Sequence, residues 1–286
     1  MKASTPLLLL SPAKTLNFNT ALSPVLRSVT PTQPRFLSEA NEIAELLGQL
    51  PQSKIKALMS LSDSLAALNH ARYATFKEQD ARIALGAFEG AAYKGMDAPS
   101  LDAEAVEYLG KSLRILCGQY GVLRPTDDIR PYRLEMSTKL AVGDAANLYQ
   151  YWTDRITASL SEELSKRPGA FVLNVASQEY AKAVDFSGLG VPVITAIFPG
   201  PAVHAKTARG EMVRFCAQQC LTEPHKLREF TGTRGEWSYV ASESSETQFV
   251  FHRSASKSKP TAKGKREPET SIEGEPASKR SKPKSR

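Results

Sequence analysis

The sequence is poor in the residues that carry metal, redox and covalent chemistry. Histidine occurs four times, at 70, 204, 225 and 252. No two of these sit at ligand spacing, so no metal site is expected. Cysteine occurs three times, at 117, 216 and 220. An odd count without framework spacing predicts free thiols in a reducing compartment rather than a disulfide scaffold. Cys216 and Cys220 are one helical turn apart, which reads as a pair of buried thiols. No apolar run approaches the roughly 20 residues of a membrane helix. The Pro6 to Leu10 run is too short for a signal-peptide core. There is no Gly-x-Ser-x-Gly nucleophile elbow and no P-loop glycine pattern. Nothing resembles a haem-ligand or low-pKa cysteine motif. Internal repeats are also missing. These absences leave charge as the main lead.

At 41% apolar and 23% charged residues over 286 positions, the composition is that of an ordinary soluble globular protein. The length allows one large or two small domains. The formal charge of +7 is unevenly placed. Residues 254–286 hold ten Lys and Arg against four Glu, a net +6, which leaves residues 1–253 at +1. The body is nearly neutral, so the overall basicity says nothing about nucleic-acid binding by the body. The tail holds Ser, Lys, Pro, Gly and Glu with Ile272 as its one large aliphatic residue. It cannot bury enough apolar surface to order itself and is expected to be disordered. Lys263 to Arg266 and Ser278 to Arg286 resemble basic nuclear-targeting clusters.

The body is organised around Leu113 to Met136. This stretch packs Arg114, Arg124, Arg130 and Arg133 with Tyr120, Tyr132, two glycines and two prolines. Guanidinium groups are rigid five-donor forks suited to phosphate or carboxylate. Pro125 and Pro131 forbid a helix, so Leu123 to Arg133 is expected to be a fixed, anion-binding loop. Salt bridges to Asp127, Asp128 and Glu135 are the competing use of the same arginines.

Around that stretch, periodicity predicts alternating elements. Pro6 to Leu10, Phe171 to Val175 and Pro192 to Phe198 are apolar runs of strand length. Trp237 to Val240 and Gln248 to His252 read as a closing strand pair. Helical spacing runs from Phe36 to Gly48, from Asp144 to Lys166 and from Ala202 to Cys220. Asp102 caps a helix reaching Lys111. Ser53 to Phe76 reads as two helices, with Ser62 or Asp63 capping the second. Ala81 to Tyr93 reads as helix followed by a strand at Phe88–Tyr93. Gly210 lies inside a helix, where it costs about 1 kcal/mol relative to alanine, so a close neighbour is expected there.

Three groups carry candidate chemistry. Ser11-Pro-Ala-Lys14-Thr15 follows a predicted strand, where ligands gather in open α/β sheets. Asn174, Ser177 and Glu179 follow another strand; Ser177 and Glu179 also suit the cap and first turn of a helix. Lys206 and Arg209 share a helix face.

The blocks SPAKTL (11–16), YGVLRP (120–125), PYRLEM (131–136), LYQYW (148–152), NVASQEY (174–180) and KTARGEM (206–212) resemble, in order, those of the YaaA-type peroxide stress protein family. The resemblance spans residues 7 to about 253. It implies a single-domain mixed α/β fold, with helices around a mixed sheet and a basic cleft, over residues 1–253, followed by the tail. It also implies a cytoplasmic protein that limits iron-dependent damage under hydrogen peroxide stress, together with DNA binding through a helix–hairpin–helix element. That element falls at Ser53 to Phe76. Nuclear import would come from the tail.

Two functions follow, and a third, direct iron binding, is disfavoured by the sparse histidines. The first is a non-enzymatic DNA-binding protein without cofactor. Its phosphate contacts would be Lys14, Arg114, Arg124, Arg130, Arg133, Lys206 and Arg209, largely sequence-independent and salt-sensitive, with Tyr120 or Tyr132 stacking on unpaired bases. The second is an enzyme on a phosphorylated or nucleotide-like small molecule, in a pocket built from Ser11, Lys14, Asn174, Ser177, Glu179 and Lys206. A narrow concave site favours the second; a broad groove favours the first.

Overall fold

The computed structural model describes residues 4–254. The expectations for the basic tail lie outside them. The architecture is mixed α/β, built on a seven-stranded sheet. Its strands are β1 (Leu7–Leu10), β2 (Leu113–Cys117), β3 (Gly121–Leu123), β4 (Val172–Asn174), β5 (Val193–Ile197), β6 (Trp237–Tyr239) and β7 (Gln248–Arg253). They lie in the order β6-β7-β5-β4-β1-β2-β3. The five inner strands are parallel and the two edges, β3 and β6, are antiparallel. Parallel strands covered on both faces have no polar side, which is why β1 is four leucines, all buried. Leu9 pairs with Arg114 on one side and Asn174 on the other.

The helices that matter here are α1 (Leu37–Gly48), α2 (Gln52–Met59), α3 (Asp63–Ala74), α4 (Ala91–Met96), α5 (Ala103–Ser112), α6 (Leu148–Ser165), α7 (Gln178–Ala181) and α8 (Ala202–Gln218). Asp102 caps α5 by accepting from the Ala105 N–H at 2.8 Å, and Ser62 caps α3 through Leu65 N–H. In α6 the buried stripe of Leu148, Tyr151, Trp152, Ile156, Leu160 and Leu164 follows the expected spacing. Its start differs: Asn147, not Asp144, caps it, accepting from Gln150 N–H at 3.1 Å. The chain before it is held in a Val142–Ala145 bridge around Gly143, whose φ is +56°.

Ala81 to Tyr93 also departs from expectation. Phe88–Glu89 is a short strand, and Tyr93 lies inside α4 rather than extending it. Gly90 separates the two and lets the chain turn against Ala13, to which an added Cβ would lie 3.3 Å away. Within Leu123 to Arg133, Asp128–Ile129 pairs with Arg82–Ile83 and the rest has no helix.

Two close packings fix the frame. A Cβ on Gly121, at φ +66°, would stand 2.6 Å from the Trp152 ring, whose Nε1–H donates to Gly118 O at 2.8 Å. A Cβ on Gly210 would stand 1.7 Å from the Ala92 carbonyl oxygen, and one on Gly95 would stand 2.3 Å from Thr207 O. The neighbour expected at Gly210 is thus the backbone of α4.

Candidate functional site

The chain leaves β1 toward β2 on one side and leaves β4 toward β5 on the other. Adjacent loops that depart in opposite directions open a crevice beyond the strand ends, the usual ligand position in open α/β sheets. Ser11 follows β1 and Ser177 lies just after β4. Ser11 Oγ accepts the Ser177 N–H at 2.8 Å and donates to Ser177 Oγ at 3.2 Å. Ser177 stands at the N-cap position of α7, but its hydroxyl bonds Ser11 and caps nothing. Asn174 is buried. Its side chain accepts from Ala176 N–H at 3.0 Å and donates to Thr195 Oγ1 at 3.3 Å, so it shapes the loop from behind.

Above these two loops lies a cavity of about 630 Å³. Ser11, Lys14, Arg133, Ser177, Glu179, Lys206 and Arg209 line it, together with Glu89, Tyr93, Tyr132, Glu135 and Tyr180. Arg133 and Glu135 arrive on an extended arm in which Tyr132, Leu134 and Met136 are buried and the alternate residues face out. Tyr73 of α3 holds the arm by donating to Arg133 O at 2.9 Å. Glu135 accepts from Lys14 at 2.7 Å and from Arg133 at 3.4 Å. Glu179 lies in the first turn of α7, but its carboxylate reaches across to Ser137, accepting from the N–H at 3.2 Å and the Oγ–H at 2.8 Å.

The opposite wall comes from α4 and α8. Tyr93 of α4 donates to Ser11 O at 3.1 Å, tying the helix to the β1 loop. The glycine crossing brings α8 down on α4 and so places Lys206 and Arg209 at the cavity. Arg214 takes a different role, donating to Met96 O and Asp97 O at the end of α4. Arg209 is partly buried, and no protein group accepts from it among the described residues; burial lowers its pKa from the ordinary value. Burial raises the pKa of Tyr93, Tyr132 and Tyr180, so all three are neutral phenols at physiological pH.

The other arginines of the organising stretch are placed elsewhere. Arg114 is buried in β2, donating to Glu163 and to backbone carbonyls including Leu113 O. Arg124 pairs with Asp127 at 3.0 Å and donates to Gln33 O at 2.9 Å. Arg130 Nε–H donates to Gln79 O at 3.3 Å. Tyr120 and Tyr132, expected as stacking platforms, are buried at 0% and 4% exposure. Tyr120 Oη accepts the Arg130 N–H at 3.0 Å, which pins the loop instead. Of the seven cationic candidates, Lys14, Arg133, Lys206 and Arg209 converge.

Sequence reasoning passed over Glu135, Ser137, Tyr93 and Tyr180 as site residues. For Glu135 a signal exists: the strict alternation from Tyr132 to Met136 puts Arg133 and Glu135 on one side. For Tyr93 there is none, because its place depends on α8 packing on α4.

Burial pushes the Cys117 thiol up to about 12 and raises Cys216 and Cys220 as well. None is poised as the thiolate that attacks peroxide. Among the described residues, no group of three or more His, Cys, Asp or Glu could hold a metal ion, and no helix is long and apolar enough to cross a membrane.

Residues 7–243 match the family model for the peroxide stress protein YaaA. The chain is 42% identical over 259 residues to a UPF0246 protein of Hahella chejuensis, covering 86% of this chain and 99% of that one. It is 41% identical over 259 residues to a UPF0246 protein of Paracidovorax citrulli, with 86% and 98% covered. For one from Idiomarina loihiensis the identity is 40% over 263 residues, with 88% and 100% covered. The six sequence blocks and the match across the body agree: the chain belongs to the YaaA family of peroxide stress proteins, and its role lies in peroxide stress.

Proposed function

We propose that this peroxide stress protein works by binding a phosphate-bearing small molecule in the cavity at the β1/β4 crevice. The observation that carries the reading is Arg209, a partly buried guanidinium at the cavity with no protein acceptor among the described residues. Leaving a desolvated charge unpaired is expensive, and an anionic ligand would offset that expense. Lys14, Arg133 and Lys206 add three cations, and Ser11 and Ser177 add hydroxyls at the floor. The concave shape and the volume suit a small molecule. Glu135 and Glu179 supply carboxylates for acid–base chemistry should the ligand be turned over.

The test is calorimetric titration of the full chain with pyrophosphate and nucleoside phosphates. A charge-assisted phosphate contact contributes about 1.5–3 kcal/mol, so Arg209→Ala is expected to weaken binding by about 10- to 100-fold. Equal affinity of the variant and the parent chain removes the reading.

A second reading, binding of DNA so as to shield it from iron-generated radicals, has one observation in its favour. A shallower depression of about 600 Å³ adjoins the cavity and shares Lys14, Arg133 and Glu135 with it. It is lined by Ala57 to Ser60 and by Lys139. Its wall is the α2–α3 hairpin, where Ser60 takes the left-handed φ of 51° at the turn. Lys139→Ala in the full chain would then lower the slope of log affinity against log salt by about 1. An unchanged slope argues against backbone contact at this groove.

A further inference from the structure

Building on the anion-site reading above, we propose that the cavity selects a nucleotide whose base carries an exocyclic amino group, with Glu179 accepting a hydrogen bond from that group. The charges around the cavity are not all partnered alike. Lys206 and Arg209, on α8, have no carboxylate partner among the described residues. Glu135 is already neutralised by Lys14 and Arg133. Glu179 is the reverse case, an anion with no cationic partner among the described residues.

The Glu179 carboxylate is also held in one orientation. Its Oε1 accepts both the N–H and the hydroxyl of Ser137, at 3.2 and 2.8 Å. Its backbone carbonyl accepts from Tyr149 Oη at 3.0 Å. Two donors fill the lone pairs of Oε1, which leaves Oε2 as the oxygen with acceptor capacity. An ionised carboxylate accepts and cannot donate. It therefore welcomes an amino group and repels a carbonyl oxygen at the same position.

The same cavity is also lined by aromatic and aliphatic groups: Tyr93, Tyr132, Leu134, Val175 and Tyr180. Burial keeps the three phenols neutral. A cavity of about 630 Å³ is far larger than a bare phosphate needs. The ligand that matches these groups combines an anionic part, a flat apolar body and an N–H donor. A nucleoside monophosphate with an amino-bearing base has all three features, and carboxylate acceptance from an amino group is a familiar way of reading cytosine. A site built to hydrogen-bond one group rejects the analogue lacking it, because its own polar group is then left unpaired.

The experiment titrates the full chain with AMP against IMP and with CMP against UMP, using pyrophosphate as a base-free reference. Within each pair an amino group is exchanged for a carbonyl oxygen, and the adjacent ring nitrogen changes from an acceptor to an N–H donor. The expected result is at least tenfold tighter binding of AMP and CMP. Glu179→Gln is expected to reduce that preference to about threefold or less and to bind IMP more tightly than the parent chain does, since the Gln amide can donate. A gain of IMP affinity cannot come from a misfolded variant. Arg209→Ala should weaken all four nucleotides by the same factor. Equal affinities within each pair, or a preference that survives in Glu179→Gln, overturn the assignment of Glu179. Binding of pyrophosphate with no binding of any nucleotide overturns the nucleotide proposal and leaves the anion site standing. If neither pyrophosphate nor nucleotides bind, the anion site falls, and the proposal with it.

Discussion

Gly210→Ala separates two opposing effects whose sizes can be worked out. Inside a helix, alanine is favoured over glycine by about 1 kcal/mol. Taken alone, that gain would stabilise α8 and raise the melting temperature. The crossing with α4 opposes it. The new Cβ would lie 1.7 Å from Ala92 O, 2.6 Å from its carbonyl carbon and 2.8 Å from Met96 N. All three atoms belong to backbone, so no side chain can rotate out of the way. Ordinary contact begins near 3.4 Å, and the helices must part to reach it. Parting them loosens buried Met96, Ala208 and Met212 and the reciprocal contact of Gly95 with Thr207 O. Overpacking a tight core costs about 1–3 kcal/mol, and more when backbone must move. The net expectation is a loss of about 2 kcal/mol. For a chain of this size that corresponds to about 4–8 °C in melting temperature. Calorimetric or urea unfolding of the full chain measures it. An unchanged or raised melting temperature would show that propensity wins and that the glycine crossing does not hold α8. Because Arg209 precedes this glycine and Ala92 lines the cavity, ligand binding should weaken along with stability.

Two further changes probe charge burial and pH. Glu163 accepts from both Arg114 and Arg167, and Arg114 is buried. Glu163→Gln should therefore destabilise by about 3 kcal/mol, by leaving a buried guanidinium uncompensated; a loss under about 1 kcal/mol in urea unfolding would contradict that. Glu162 is about half exposed, and hydrogen bonds from Arg35 and Lys166 hold its carboxyl at about 2. A depressed folded-state value contributes stability above the unfolded-state pKa of about 4.3 that is lost as pH falls. The stability difference between the parent chain and Glu162→Gln should thus shrink between about pH 4.5 and pH 2. It should already be small at pH 7, because the pair is exposed and screened. A difference that does not change across that window would refute the assignment.

Much of the sheet could be read from local pattern, because fully buried parallel strands are uniform apolar runs. Leu7–Leu10, Val172–Asn174 and Val193–Ile197 all fall within the runs read as strands. Caps at Ser62 and Asp102 were equally local. What was not legible depends on partners far along the chain. Ser177 looked like a helix cap, yet its hydroxyl belongs to Ser11, 166 residues away. Arg114 looked available for phosphate, yet it answers Glu163, 49 residues on. Tyr132 reads as exposed beside two arginines, whereas the alternation of its arm turns it inward and leaves Arg133 at the cavity.

The same contrast ranks the candidate cations. Charge alone gives seven equal choices; what separates them is the environment of each partner. Arg114 cannot leave Glu163 without exposing a buried ion pair to the penalty of an unpaired charge. Arg124 is bound to Asp127, which is itself buried. Lys14 differs. Its side chain is 59% exposed and its link to Glu135 lines the cavity; a pair so exposed contributes about 1 kcal/mol or less. It can exchange Glu135 for a ligand oxygen at little cost. Arg209 and Lys206 need no exchange at all, since no carboxylate among the described residues holds them. An incoming anion should therefore be met first from α8 and then by Lys14 released from Glu135. Glu135 would be left with Arg133 as its partner, and the carboxylate of Glu179 would remain held by Ser137.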